Sequence, residues 1–118
     1  AVDKHGFHQE LEKLRHRVLK EQNHLAAVLG TWSEFLTSTG DNTDILRSAA
    51  ELGLQLEQVR DTALEAEGRT QTTDSPAHIR AGLADLTRQI ESCNQHHALL
   101  ISALQNRIRE HAADHRSR

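Results

Sequence analysis

The stretch FHQELEKLRHRVLKEQNHLAAVLGTWSEFL, residues 7–36, decides the fold. Its large apolar side chains, Phe7, Leu11, Leu14, Val18, Leu25, Val28, Trp32 and Phe35, step by alternating threes and fours. That period puts them on one face of an α-helix, because residues three and four apart are neighbours on its surface. The series breaks once, at Glu21, where the next apolar residue is due. A first helix over about 3–38 therefore carries a heptad seam with a polar interruption.

Working outward, Thr39-Gly40-Asp41-Asn42-Thr43 combines a glycine that tolerates left-handed backbone with side chains that cap a following helix, so it reads as a tight turn. A second helix, about 44–67, follows with the seam Ile45, Ala49, Leu52, Leu56, Val59 and Ala63. Its alanines imply a close helix–helix approach. Gly68 is expected to stop it. The run 69–74 has no period, and Ser75-Pro76 supplies an N-cap followed by proline in the first helical turn. The third helix, about 76–113, carries Ile79, Leu83, Leu86, Ile90, Cys93, His97, Leu100 and Leu104, and leaves a frayed tail over 114–118.

Three such seams joined by short connections predict an all-α, antiparallel three-helix bundle with a shorter middle helix, in one domain covering 1–118. Composition agrees. The chain is 36% hydrophobic but only 3% aromatic, so its core is built of aliphatic residues that suit helix packing better than a pleated sheet. The helices are unequal, at roughly 55 Å for the outer two and about 36 Å for the middle one. If the third begins level with the end of the second, its last ~14 residues project with Leu99, Leu100, Ile101, Leu104 and Ile108 on more than one face. A partner, a second copy, or a slide of the third helix along the bundle would cover them.

The remaining features exclude more than they identify. A net charge of -3, with no basic stripe and few rings for bases to stack on, disfavours nucleic acid. No apolar run approaches a membrane span and no secretory signal is visible, so a soluble, cytoplasmic protein is expected. Cys93 is the single cysteine and can form neither an internal disulfide nor a thiolate cage. On the seam it reads as a small buried hydrophobe.

Nine histidines invite a metal reading. His111 and His115 have i, i+4 spacing, but no third ligand stands in a fixed relation to them, and no metal or other cofactor is expected. His97 occupies a seam position and reads as a core-edge histidine hydrogen-bonded across the bundle, with a pH-sensitive switch as the alternative. Glu21-Gln22 reads as a register-setting polar pair, or else as a polar contact to a bound helix. The carboxylates read as a solvated face, since no repeated Glu-x-x-His motif of the carboxylate-bridged bundles occurs. With no phosphate-binding loop or nucleophile elbow either, an enzyme is not expected. Trp32 is expected to be the large side chain filling the bundle. Leu19, Leu29, Leu36, Leu54 and Leu64 fall beside the seams and widen the apolar stripe, as a three-helix core or a groove for a fourth helix would require.

Residues 90–101, Ile-Glu-Ser-Cys-Asn-Gln-His-His-Ala-Leu-Leu-Ile, resemble the last-helix signature of the FlgN family of flagellar export chaperones. Asn94 matches the first asparagine and Leu99, Leu100 and Ile101 the apolar run, while His97 and Ala98 stand for the second asparagine and the glycine. The stretch 19–25 and the Gly40-Asp41 turn are similar to the family layout. The resemblance implies a cytoplasmic chaperone for the amphipathic C-terminal helices of hook-filament junction proteins. Asn94, His97, Leu99, Leu100 and Ile101 from this motif, with Leu104 and Ile108 from the projecting end of the third helix, are the expected partner-binding residues, and a homodimer is the other association expected of that end. The alternative is a structural spectrin-like repeat or coiled-coil scaffold module, which Trp32 and the series Leu100, Leu104, Arg107 loosely resemble.

Overall fold

The structure, a computed structural model, describes residues 4–70 and 75–116. It holds three helices, α1 (Lys4–Ser38), α2 (Thr43–Thr70) and α3 (Pro76–Arg116), each packed on both others, with no strand among the described residues. The bundle is a rod of 66 × 19 × 18 Å.

The expected seams form the core. All six α2 positions, from Ile45 to Ala63, are buried, as are Phe7, Leu11, Leu14, Val18 and Leu25 of α1 and Ile79, Leu86, Ile90, Cys93, His97, Leu100 and Leu104 of α3. The seam residues Val28, Phe35 and Leu83 are only partly buried, and two further positions differ more tellingly from the expected pattern. Trp32 is only half-buried, packing edge-on against Phe35, while Leu36, read as a flanking residue, is enclosed. The large side chains most fully removed from solvent are Phe7, Leu11, Leu52, Leu56, Leu86 and Ile90.

Of the three ways to cover the end of α3, the chain uses the slide. Glu21 of α1 bonds to His97, and Phe35 meets His111 edge-on at 5.4 Å; both pairs are 76 positions apart in sequence. A constant offset means that α1 and α3 run parallel in a single register, and it sets Pro76 level with the start of α1 rather than with the end of α2. At a ~1.5 Å rise per residue the 41 residues of α3 span about 62 Å, nearly the whole rod, so no long apolar arm projects. Leu100 and Leu104 consequently face the core.

The first turn works as a joint between all three helices. Gly40 takes φ 68°, the left-handed conformation that ends α1 at little cost only for a residue without Cβ. Asn42, 2% exposed, donates from Nδ2 to the carbonyls of Leu36 (2.9 Å) and Thr39 (2.8 Å), and its Oδ1 accepts from Arg107 of α3 at 2.7 Å. It thereby satisfies carbonyls that the end of a helix leaves without partners. Asp41 accepts from the Thr43 hydroxyl and backbone N–H, and chiefly the hydroxyl bond holds its carboxyl below the usual carboxylate range. Asn42→Ala should lower unfolding free energy by about 2 kcal/mol, since it strands two carbonyls and one Arg107 contact. Urea denaturation checks this, and a loss below about 0.5 kcal/mol, the size of an ordinary surface change, would count against the joint.

The second connection departs from expectation at one point. Gly68 does not stop α2, which runs to Thr70. Glycine ends a helix when it adopts positive φ, and among the described residues Gly40 alone does so. The α3 N-cap is as read: Ser75 Oγ accepts from the His78 N–H at 3.4 Å, and its carbonyl accepts from Ile79 at 3.1 Å.

Candidate functional site

The α3 residues expected to meet a partner divide. Leu100, Leu104 and His97 are 3%, 4% and 4% exposed and belong to the core. Ile108 packs against it, and Asn94 and Ile101 are half-buried. Leu99 is open, at 71%. It lies off the seam, since a residue next to Leu100 in sequence falls on a different face of the helix. The α3 stretch is therefore not a continuous apolar strip on the surface: of the residues expected to meet a partner, Leu100, Leu104 and His97 lie in the core.

His97 anchors a different arrangement. It occupies a seam position, so α3 carries it into the interior, and the gap in the α1 seam at Glu21 lies opposite. His97 Nδ1 and Glu21 Oε2 are 2.5 Å apart. A carboxylate can only accept, so Nδ1 donates, and this accounts for both the polar interruption and the seam histidine. Glu21 retains a path to water, with its side chain 27% exposed against 6% for His97. Asn94, with its amide turned so that nitrogen faces the carboxylate, donates to Glu21 Oε1 at 3.1 Å and accepts from Arg17 Nη2 at 3.2 Å. The His24 ring lies over His97, with centroids 4.6 Å apart and planes 51° from parallel. His97 Nε2 is buried with no hydrogen-bond partner. Cys93, one turn earlier, has its thiol pushed up by burial and then by the Glu21 charge, which keeps it protonated and inert.

The preceding residue does the same for the other neighbour. His96 Nδ1 lies 3.0 Å from Gln55 Oε1 and its Nε2 lies 3.0 Å from the Ser48 hydroxyl. The amide oxygen accepts only, so Nδ1 donates to it. One histidine thus ties α3 to α2 and the next ties it to α1.

A second feature lies between α1 and α2. A groove of about 300 Å³ is lined by Glu12, Arg15, His16, Val18, Leu19 and Gln22 of α1 and by Arg60 and Ala63 of α2. Leu19, on its lip, is 54% exposed, and Leu64, next to Ala63, is 48% exposed. Arg15 reaches across to Glu67 at 3.2 Å and ties the helices together beside it.

No family model, curated protein or solved structure matches this chain. Its reading therefore rests on the residues themselves.

Sequence reading found His97 and Glu21 separately but did not join them, because the pairing depends on a register that only the slide of α3 sets. His24 was passed over altogether. A signal for it exists: Glu21 and His24 form a single Glu-x-x-His step, which places both side chains on one helix face. The pair His111 and His115 does not form a described cluster, as the His115 side chain lies outside the described residues and His111 packs on Phe35.

Proposed function

We propose that this chain is a protein-binding helical module, without catalytic activity, that receives an amphipathic helix along the α1–α2 groove. The observation that carries the reading is Leu19, about half exposed in the lining of a groove between α1 and α2, with the half-exposed Leu64 one helical turn beyond the lining residue Arg60. Their apolar area is what helix-in-groove recognition uses, and Arg15, His16 and Arg60 on the rim suit an incoming helix with acidic flanks. No described helix is long and apolar enough to cross a membrane.

The finer reading, a cytoplasmic export chaperone for the helical C-terminal region of hook-filament junction proteins, rests on the resemblance at 90–101. On that reading the groove between α1 and α2 would serve as the docking face, since Leu100 and Leu104 of α3 are buried. A structural spacer in the manner of a spectrin-like repeat is favoured by one feature, the 66 Å rod in which the start of α1 and the end of α3 lie at opposite ends.

Calorimetric titration separates these readings. An amphipathic peptide of about 20 residues, with a leucine face and acidic flanks, should bind with a negative heat-capacity change. Leu19→Glu/Leu64→Glu should weaken it about 100-fold, as two half-exposed leucines lose roughly 1.4 kcal/mol each. A junction-protein C-terminal peptide binding more tightly than the generic one would support the chaperone. Equal affinity of wild type and double variant, or no binding at all, removes the groove reading. A dimer in light scattering that the same substitutions dissociate would make the occupant a second copy and remove the foreign helix.

A further inference from the structure

We propose that His24 and His97, with Glu21 orienting the His97 ring from behind, form a binding site for a divalent transition ion of the zinc class, clamping α1 to α3 near the middle of the rod. One ligand atom from each of the three lies within 4.8 Å of the others, which is a metal-sized cluster drawn from two helices. A tetrahedral zinc ion with bonds of about 2.0–2.1 Å sets its ligand atoms ~3.4 Å apart. Closing the two imidazoles onto one ion therefore takes at most about 1.4 Å of movement, and His24 can supply it, since it is exposed while His97 is fixed in the core.

The second observation is independent of that spacing. His97 Nε2 is buried and without a partner, a condition that a native interior seldom tolerates without an ion or water to meet it. The bond from His97 Nδ1 to Glu21 occupies that nitrogen, so Nε2 is the ring nitrogen left to meet an ion. This carboxylate–histidine arrangement is the one that orients imidazole ligands and raises their basicity towards zinc. The Glu21 charge offsets the ion, and Asn94 separates it from Arg17, which reaches the amide and not the carboxylate. Two imidazoles suit zinc, with water completing four-coordination on the open His24 side and Glu21 held in the outer shell on His97 Nδ1. Cys93 stays outside the set because its sulfur is not among the ligand atoms brought together there.

The test is a titration of the intact chain with ZnCl2 near neutral pH, followed by calorimetry and thermal melting, with Co2+ absorption as a probe of coordination. One equivalent should bind and raise the melting temperature, and long-range 1H–15N spectra should show ring nitrogens of His24 and His97 shifting together. His24→Gln, at an exposed position that leaves the core intact, should bind at least about tenfold more weakly, and Glu21→Gln should weaken binding as well. His111→Gln should bind as wild type does. Saturation unchanged in His24→Gln, ring shifts at other histidines only, or no saturable binding would each overturn the site.

Discussion

Phe7→Ala should cost about 4 kcal/mol of unfolding free energy, and Trp32→Ala clearly less, although tryptophan is the larger side chain. Phe7 is 1% exposed near the start of α1, at the end of the rod where α3 also begins. Its removal leaves a cavity between helices whose register is already set elsewhere, so the void cannot close by sliding. Trp32 keeps part of its ring in water and has Phe35 across it at 5.8 Å, so truncation there opens a surface notch that solvent fills. Urea denaturation of both variants, with unchanged slopes, measures the difference. Trp32→Ala costing as much as Phe7→Ala would show that the aromatic cluster at residues 32–35 anchors the bundle. Against a typical total of about 5–15 kcal/mol, the Phe7 loss would take a large share of the stability of the fold.

That contrast shows what a seam read from sequence contains and what it lacks. Periodicity identified which face of each helix turns inward, and nearly every residue from Ile45 to Ala63 and from Ile79 to Leu104 follows it. It could not assign depth, because depth depends on the axial offset between helices, and no local pattern encodes that offset. The overhang expected for Leu100 and Leu104 assumed that α3 starts where α2 ends. The cross-helix contacts at His97 and His111 instead set α3 level with α1, and that one shift buries both leucines. Gly68 illustrates a local signal overridden by local context, since a glycine that keeps negative φ continues a helix at the cost of some entropy. Asn42 was legible as a cap but not as the acceptor for Arg107, a residue 65 positions away. The groove beside Leu19 and Leu64 was foreshadowed only by leucines that fell off their seams. Leu54, 60% exposed and opposite the α2 seam, shows that an off-seam leucine alone does not define a groove.

The second large effect concerns the same buried pair that holds the register. Glu21→Leu should destabilise by about 3 kcal/mol, because it leaves the His97 ring in the core with neither nitrogen bonded. His97→Leu should cost only about 1 kcal/mol, since the half-open Glu21 can turn to water and keep its Asn94 contact. Combining the two substitutions puts leucine opposite leucine at the one polar break in two apolar seams. The double variant should recover wild-type stability or exceed it by ~1–2 kcal/mol, as buried ion pairs replaced by well-packed apolar side chains often do. A double-mutant cycle in urea measures the coupling, and costs that simply add would mean that the two residues do not interact in solution. The expected sign has a consequence for function. If two leucines hold α1 against α3 at least as well as Glu21 and His97, the polar pair contributes nothing to the fold that aliphatic packing could not. What it then supplies is chemical: a fixed imidazole, a charge and a neighbouring His24, which leucine cannot provide.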